Sequence, residues 1–415
     1  MRHVLCIDLK SFFASCECVE RGLDPFTTPL VVANKKQGNG AITLAVSPFL
    51  KSQGVPGRTR LYQIPKEISY QIVPPRMKLY IQKSKEVISI YLDIIDIVDL
   101  HIYSIDECFL DVTSYLKYYH KSDIELAQEI LKTIEEKTGL TATCGISHNP
   151  LLAKLAMDLE AKKYKNGIAK WTEKDIQEKL WKVHPLSKVW GIGTRLEKRL
   201  QNLGIDTMKD LALANENVLI QKFGVIGKEL WEHANGIDRT IISELSHEAK
   251  EKSLGHSQVL MKNYYNEDAL LIIREMVEVL TRRLRTLNEE TARIGLGISY
   301  SKEVGGGFHH CMTLPASTDH VSQIYDICQS LFERFYEISM PIRRISISFS
   351  RLSPKLGQQL NLFESFESQE KEDKIYATLD EIQERYGKNS ILKTSSLLPN
   401  STARARNQTI GGHHE

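Results

Sequence analysis

Residues 101–112, HIYSIDECFLDV, are two short apolar stretches around a polar turn, and the turn carries two adjacent acids, Asp106 and Glu107. Such a pattern reads as a β-hairpin with a carboxylate pair at its tip. Toward the N-terminus, residues 3–9, HVLCIDL, read as a short buried strand with Asp8 near its carboxyl end. Phe12, Phe13, Cys16 and Val19 then recur at near-helical spacing. A further helical pattern covers 82–98. On the other side of the hairpin a helix is expected over Ile124 to Thr138, then a strand, TATCGIS, then a helix from Leu151 to about Lys163. The order strand–helix–strand–strand–helix–strand suits an α+β sandwich of the ferredoxin-like type. A turn-rich module, residues 29–75, is inserted after the first helix.

Further along, residues 171–240 are helical with Gly-containing turns, and 241–256 form a polar, Lys/Glu-rich linker. A second α+β unit follows: an apolar strand, a helix over 267–287, RIGLGISYS, a turn at Gly305-Gly306-Gly307, a helix over 319–337, and RRISISFSRL. The chain beyond 353 is polar and expected to be flexible, with one apolar island at Gln359-Leu360-Asn361-Leu362-Phe363. At 415 residues the protein needs more than one domain, and its 42% hydrophobic and 26% charged content is that of a soluble globular protein. No apolar run approaches the roughly 18–20 residues that cross a bilayer. Asp8 interrupts the N-terminal apolar stretch, so no signal peptide and a cytoplasmic location are expected. The seven cysteines are scattered without a C-x-x-C pair, which predicts reduced, mostly buried thiols.

Charge sums exclude little. The net charge is +2, and residues 246–352 hold 13 Lys/Arg against 13 Asp/Glu, while 171–245 hold 11 against 11. Any nucleic-acid contact must therefore rest on where charges stand. The acids are more telling. Asp8 and the Asp106–Glu107 pair come from elements that lie side by side in a ferredoxin-like sheet, so they can converge. Like charges a few ångströms apart raise one another's pKa, and a divalent cation relieves that. Oxygen ligands without His or Cys point to Mg²⁺, and two ions about 3.5–4 Å apart would serve nucleotidyl transfer. Read alone, the same acids also fit a turn former and a common dipeptide.

Three stretches, IDLKSFFASCECV (7–19), SIDECFLDV (104–112) and GISHNPLLAKLAMD (145–158), together resemble the Y-family DNA polymerases, and more narrowly their bacterial UmuC-like branch. The resemblance implies a palm (1–25 and 76–170), small fingers (26–75), a helix-hairpin-helix thumb (171–240) and a little finger (246–352). It makes Asp8, Asp106 and Glu107 the catalytic metal ligands, joined by the Leu9 carbonyl, and implies two Mg²⁺ ions. Lys10 departs from the family, which often has an acid or amide there. Phe13 falls at the steric gate against the sugar, with Phe12 beside it. For the triphosphate the resemblance implies Lys51 and Lys162, with Lys163 and Lys165 close to the latter. Pro48 stands where a side-chain donor is usual. Asp111 reads as structural.

The stretch VWGIGTRLEKRLQNLGI has the shape of a helix-hairpin-helix. Gly191 and Gly193 allow a tight turn whose amides can hold a phosphate, and Arg195, Lys198 and Arg199 stand nearby. A weaker copy sits at Gly224 and Gly227. RRLR (282–285), Arg343 and Arg344 are candidate phosphate contacts. Gln359, Leu360, Leu362 and Phe363 match the bacterial sliding-clamp peptide. The implied function is template-directed, error-prone translesion DNA synthesis in an SOS-type response. Its partners are primer–template DNA, dNTP, the clamp, and an accessory subunit or recombinase filament. No proofreading exonuclease and no membrane are expected. Rival readings are a nucleotidyl cyclase on the same palm and an inactive DNA-binding accessory protein.

Overall fold

The computed structural model describes residues 2–245, 252–355, 366–410 and 413–414. It separates into two compact units, one through Ser246 and the other from His247 to Gly412, each described here by itself.

The first unit begins with β1 (Val4–Leu9) and α1 (Phe12–Val19), then β2 (Leu30–Val32), β3 (Ala45–Val46), α2 (Pro48–Ser52), β4 (Gln71–Val73) and α3 (Met77–Leu92). The hairpin strands β5 (Leu100–Ile102) and β6 (Glu107–Asp111) follow, then α4 (Thr113–Tyr119), α5 (Asp123–Thr138), β7 (Ala142–Ser147), α6 (Pro150–Leu159) and β8 (Ile168–Lys170). The main sheet has the order β5-β6-β1-β7-β8, with β1 antiparallel to both neighbours. β1 is therefore central, which is why its residues are apolar on both faces. Leu5, Ile7 and Leu9 join a core with α3 and α5 (Tyr80, Val87, Ile90, Leu126, Ile130). Val4 and Cys6, one residue out of phase, pack with Ala153 and Met157 of α6 on the opposite face. The expected sandwich is thus present, with a helical layer on each side. The module after α1 forms its own small sheet, β3-β2-β4.

Local signals explain the elements. α5 starts in a capping box between Ser122 and Glu125 and ends at Gly139 with φ 69°. α3 begins five residues before the expected 82 and stops at Leu92 rather than 98, because a separate 3₁₀ turn occupies Ile97–Asp99. α6 ends at Leu159, short of Lys163, and a 3₁₀ turn over Ala161–Lys163 follows.

Helices α7 (Lys174–Glu178), α8 (Thr194–Gln201), α9 (Met208–Leu213), α10 (Glu216–Phe223) and α11 (Val225–Ala234) complete the unit around Trp171, Leu180, Leu200, Leu211 and Leu230.

The second unit is β9 (Ser253–Tyr264), α12 (Asn266–Leu287), β10 (Glu289–Tyr300), β11 (Gly307–Thr318), α13 (Val321–Phe335) and β12 (Ile342–Pro354), with sheet order β11-β10-β12-β9. α12 and α13 cover one face. On the other, Gly295 and Gly297 leave no room for a Cβ beside Ser348, Ser346 and the His309 ring. Cys311 stands exposed on that face opposite Gly295, while the other six cysteines are buried.

One expectation fails here. The chain beyond 353 is not a flexible tail throughout: α14 (Phe366–Tyr386) and the described residues after it through Ile410 belong to the second unit. Tyr376 packs against its core, and Asp380 binds Arg285 at 2.7 Å. The buried carboxylate of Glu275 accepts hydrogen bonds from the Ser401 and Thr402 hydroxyls. These contacts hide in a sequence that looks uniformly solvated. The 359–363 peptide lies outside the described residues. Among the described residues no helix is long and apolar enough to cross a membrane.

α6 lies on the sheet at one tight point. A Cβ on Gly145 would fall 1.9 Å from the Ala153 carbonyl oxygen and 2.4 Å from the Met157 nitrogen, so only glycine permits this approach. Gly145→Ala is expected to cost about 3 kcal/mol or more, measured by urea denaturation. A loss under about 1 kcal/mol would show that α6 does not depend on this contact.

Candidate active site

The strand register puts the acids together. Asp8 of β1 pairs directly with Glu107 of β6, and the Leu9 amide donates to the Asp106 carbonyl at 2.9 Å. Alternation along β1 turns Asp8 to the same face as Cys6, the side covered by α6. Thr143 of β7 donates its hydroxyl to the Asp8 carbonyl at 3.4 Å. Asp106 stands at the hairpin tip, where the Ser104 hydroxyl donates to it at 2.7 Å. The Leu9 side chain is in the core, so only its backbone is available to the site. Asp111 accepts from the Thr113 amide and hydroxyl and serves the start of α4.

Cations from α6 and the turn after it meet these acids. Lys154 donates to Glu107 Oε1 at 2.5 Å and lies 3.4 Å from Asp158, one helical turn on. Lys162 lies 3.5 Å from Asp8 and 2.7 Å from Asp158; Lys163 and Lys165, exposed like it, make no ion pair among the described residues. Burial pushes the Asp8 carboxyl up to about 6; Lys162 opposes the shift, while Asp106, Glu107 and Asp158 add to it. Burial lowers Lys51 of α2, which faces Asp8, Asp106 and Lys162 electrostatically. Burial also draws Lys154 down, but Glu107 and Asp158 outweigh it and keep the ammonium firmly charged.

Among the described residues, the triad with ligand atoms within 4.8 Å of one another is Asp319, His320 and Asp373 of the second unit, not Asp8, Asp106 and Glu107. The latter three share one strand end but do not close into a single ligand sphere. The Lys355 ammonium, 2.9 Å from Asp319, already serves the former. At Asp8 the donors are hard oxygens around excess negative charge, which fits Mg²⁺.

Other residues fall as follows. Phe12 is buried, and the half-buried Phe13 packs on Tyr80 at 4.8 Å between ring centroids. Pro48 is the first residue of α2, capped by Ser47, so it serves the helix start. Lys10 has Glu135 as its charge partner and the Phe26 ring 5.9 Å away. Gly191 has φ 89°, as the hairpin turn requires, but Gly193 is the N-cap of α8 with an ordinary φ of −85°. Arg195 and Lys198 are exposed; Arg199 is engaged with the Lys222 carbonyl and the Phe223 ring. Gly224 joins α10 to α11, and Gly227 packs against the Leu219 carbonyl.

In the second unit the exposed Arg344 donates to the Ser257 hydroxyl, and Arg343 is half-buried near Glu303. Arg282 and Arg285, expected as phosphate contacts, are both paired with Asp380 instead and are not open for phosphate. Sequence reading missed Lys154, Asp158, Tyr103 and Trp190. The i, i+4 spacing of Lys154 and Asp158 inside LAKLAMD was the available signal.

Residues 7–158 match the model of the impB/mucB/samB family, 251–362 that family's C-terminal domain, and 173–205 the IMS family HHH motif. The chain is 40% identical over 417 residues to a putative UV-damage repair protein, UvrX, of Bacillus subtilis (strain 168), covering 99% of this chain and 97% of the relative. It is 31% identical to DNA polymerase IV 2 of Halalkalibacterium halodurans, covering 99% of both. A solved Y-family DNA polymerase chimera shares the fold with a TM-score of 0.68 at 23% identity, over 85% of this chain and 99% of that one.

Beneath Phe13 lies a fully buried carboxylate. Glu17 accepts from Arg76 Nε at 3.0 Å and NH2 at 2.8 Å, from the Tyr80 hydroxyl at 2.7 Å, and from Arg21. Burial pushes Glu17 up, but these hydrogen bonds together hold it below the usual carboxylate range. Glu17→Ala would leave the Tyr80 hydroxyl and two guanidiniums without their acceptor, at a cost of about 3–5 kcal/mol in denaturant unfolding. A change within about 0.5 kcal/mol would show that the network carries no stability.

Proposed function

This chain belongs to the impB/mucB/samB family, the Y-family DNA polymerases, and from that premise we propose that it is a DNA-directed DNA polymerase performing error-prone translesion synthesis, in a damage-induced response of the SOS type. The observation that carries the catalytic reading is the pairing of Asp8 with Glu107 on neighbouring strands, with Asp106 at the adjoining tip. Asp8, Asp106, Glu107 and the Leu9 carbonyl are the candidate ligands of two Mg²⁺ ions. Such ions, when bound, activate a primer 3′-hydroxyl and neutralise a leaving pyrophosphate.

The chain's own groups do the rest. Lys51 feels the charge of Asp8 and Asp106, Lys162 lies 3.5 Å from Asp8, and both are suited to receive triphosphate oxygens. Phe13, the less buried of the aromatic pair, abuts the deoxyribose and excludes a 2′-hydroxyl. Backbone amides at Gly191–Gly193, with Arg195 and Lys198, hold a DNA phosphate without reading sequence. Arg343 and Arg344 serve the same end in the second unit. Residues 359–363 bind the bacterial sliding clamp, and an accessory subunit or recombinase filament assists. The small module that contains β2–β4 supplies little surface to inspect a nascent pair, which suits damaged templates and low fidelity in the cytoplasm.

Primer extension with purified protein, Mg²⁺ and dNTPs tests this directly. Wild type should extend a primer past an abasic template site, and Asp106→Ala should lose on the order of 10³-fold or more in rate. Equal incorporation by the two would sink the catalytic assignment. Phe13→Ala should raise ribonucleotide use relative to deoxyribonucleotide by at least about tenfold; an unchanged ratio would remove Phe13 as the gate.

A further inference from the structure

Lys154 is an ammonium in an unusual enclosure. The residue is 7% exposed, as is its partner Glu107. Besides Glu107 and Asp158, its surroundings are two aromatic faces: the Tyr103 centroid lies 5.3 Å from Nζ and the Trp190 centroid 5.8 Å. The Cys6 thiol donates to the same Glu107 oxygen at 3.3 Å. Burying an ion pair this deeply rarely adds stability over apolar packing, so its retention asks for a functional reason.

The walls of the enclosure come from two places. Tyr103 belongs to the acid hairpin, and its amide donates to the Glu107 carbonyl at 3.0 Å. Trp190 belongs to the other hairpin and immediately precedes Gly191. Its ring stacks on Phe109, two residues past Glu107, at 5.9 Å, and its indole Nε1 donates to the Tyr103 hydroxyl at 3.1 Å. Trp190 is only half-buried, so its outer edge adjoins the turn suited to a phosphate.

The geometry points to Lys154 as a positioning residue for Glu107, with Trp190 tying that positioning to the 191–193 turn. Phe109 and Tyr103 hold Trp190 in place, and DNA backbone seated on the turn adds to that hold. The fixed ring keeps water from the ammonium, and the dry ammonium holds Glu107 Oε1 in a single place, leaving its other oxygen to face the site. Without the ring, Lys154 is hydrated and no longer held on Oε1, and Glu107 loses its orientation. Engagement of the template–primer is thereby linked to readiness of the catalytic acid. This rests on the polymerase reading above.

Single-turnover dNTP incorporation on a primer–template, with DNA affinity measured separately and melting temperature as a control, tests it. Lys154→Ala and Trp190→Ala should each lower the maximal rate about tenfold or more, with little change in DNA affinity. The double variant should be no slower than the worse single one, because both act through Glu107. Trp190→Phe, which keeps an aromatic face over the ammonium, should retain most of the rate; Trp190→Leu, equally apolar, should not. Trp190 variants that weaken only DNA binding, effects that multiply in the double variant, or equal rates for Phe and Leu would each overturn the coupling. If Trp190→Ala does not fold, the comparison of Phe with Leu decides. Wild type as inactive as Asp106→Ala would instead sink the polymerase reading itself.

Discussion

Three carboxylates gathered at one end of a sheet repel one another, and the rest of the first unit is arranged around supplying charge to oppose that repulsion. The protein meets this with lysines rather than by spreading the acids apart. Lys154 and Lys162 are delivered by one helix and the turn that follows it, and Lys51 by the small module. Burial, more than the neighbouring acids, raises the Asp8 carboxyl, and Lys162 works against that rise. A site left with residual negative charge is one that attracts a divalent cation, and the same lysines then become available to an incoming triphosphate.

That delivery depends on how closely α6 can approach the sheet. Gly145 of β7 sits opposite Cys6 of β1, two residues from Asp8, so the point of closest approach and the acid cluster are part of one construction. Any residue with a Cβ there would lift the helix, and Lys154 and Asp158 with it. Packing geometry and electrostatics are thus inseparable in this region: the glycine sets the distance over which the ion pair acts.

Much of this was legible in the sequence. The apolar runs around Asp8 and around 106–107 and the helical pattern over Ile124 to Thr138 state the first unit's topology through local chemistry. The second unit was readable from alternation in β10 and β12. What could not be read was tertiary pairing. Arg282 and Arg285 look like phosphate ligands because their partner, Asp380, is about a hundred residues away in a segment that resembles a solvated tail. α14 went unseen for the same reason: its few docking residues, Tyr376 with Glu372, Asp373 and Asp380, are diluted among exposed charges such as Lys371, Lys374 and Glu381. Lys154 was in plain view inside LAKLAMD, but a lysine on a helix is ordinarily a solvent residue. Only the sheet beneath it reveals that it is enclosed.

The cysteine pattern carries a practical corollary. Six of the seven thiols are packed away, and burial pushes several of them up, Cys108 to about 12, where the thiolate nucleophile is scarce. Cys311 alone is exposed, on the open glycine-lined face of the second unit. The unaltered protein therefore offers a ready handle for attaching one maleimide fluorophore, and with it a spectroscopic reporter on that sheet surface that needs no cysteine-free background.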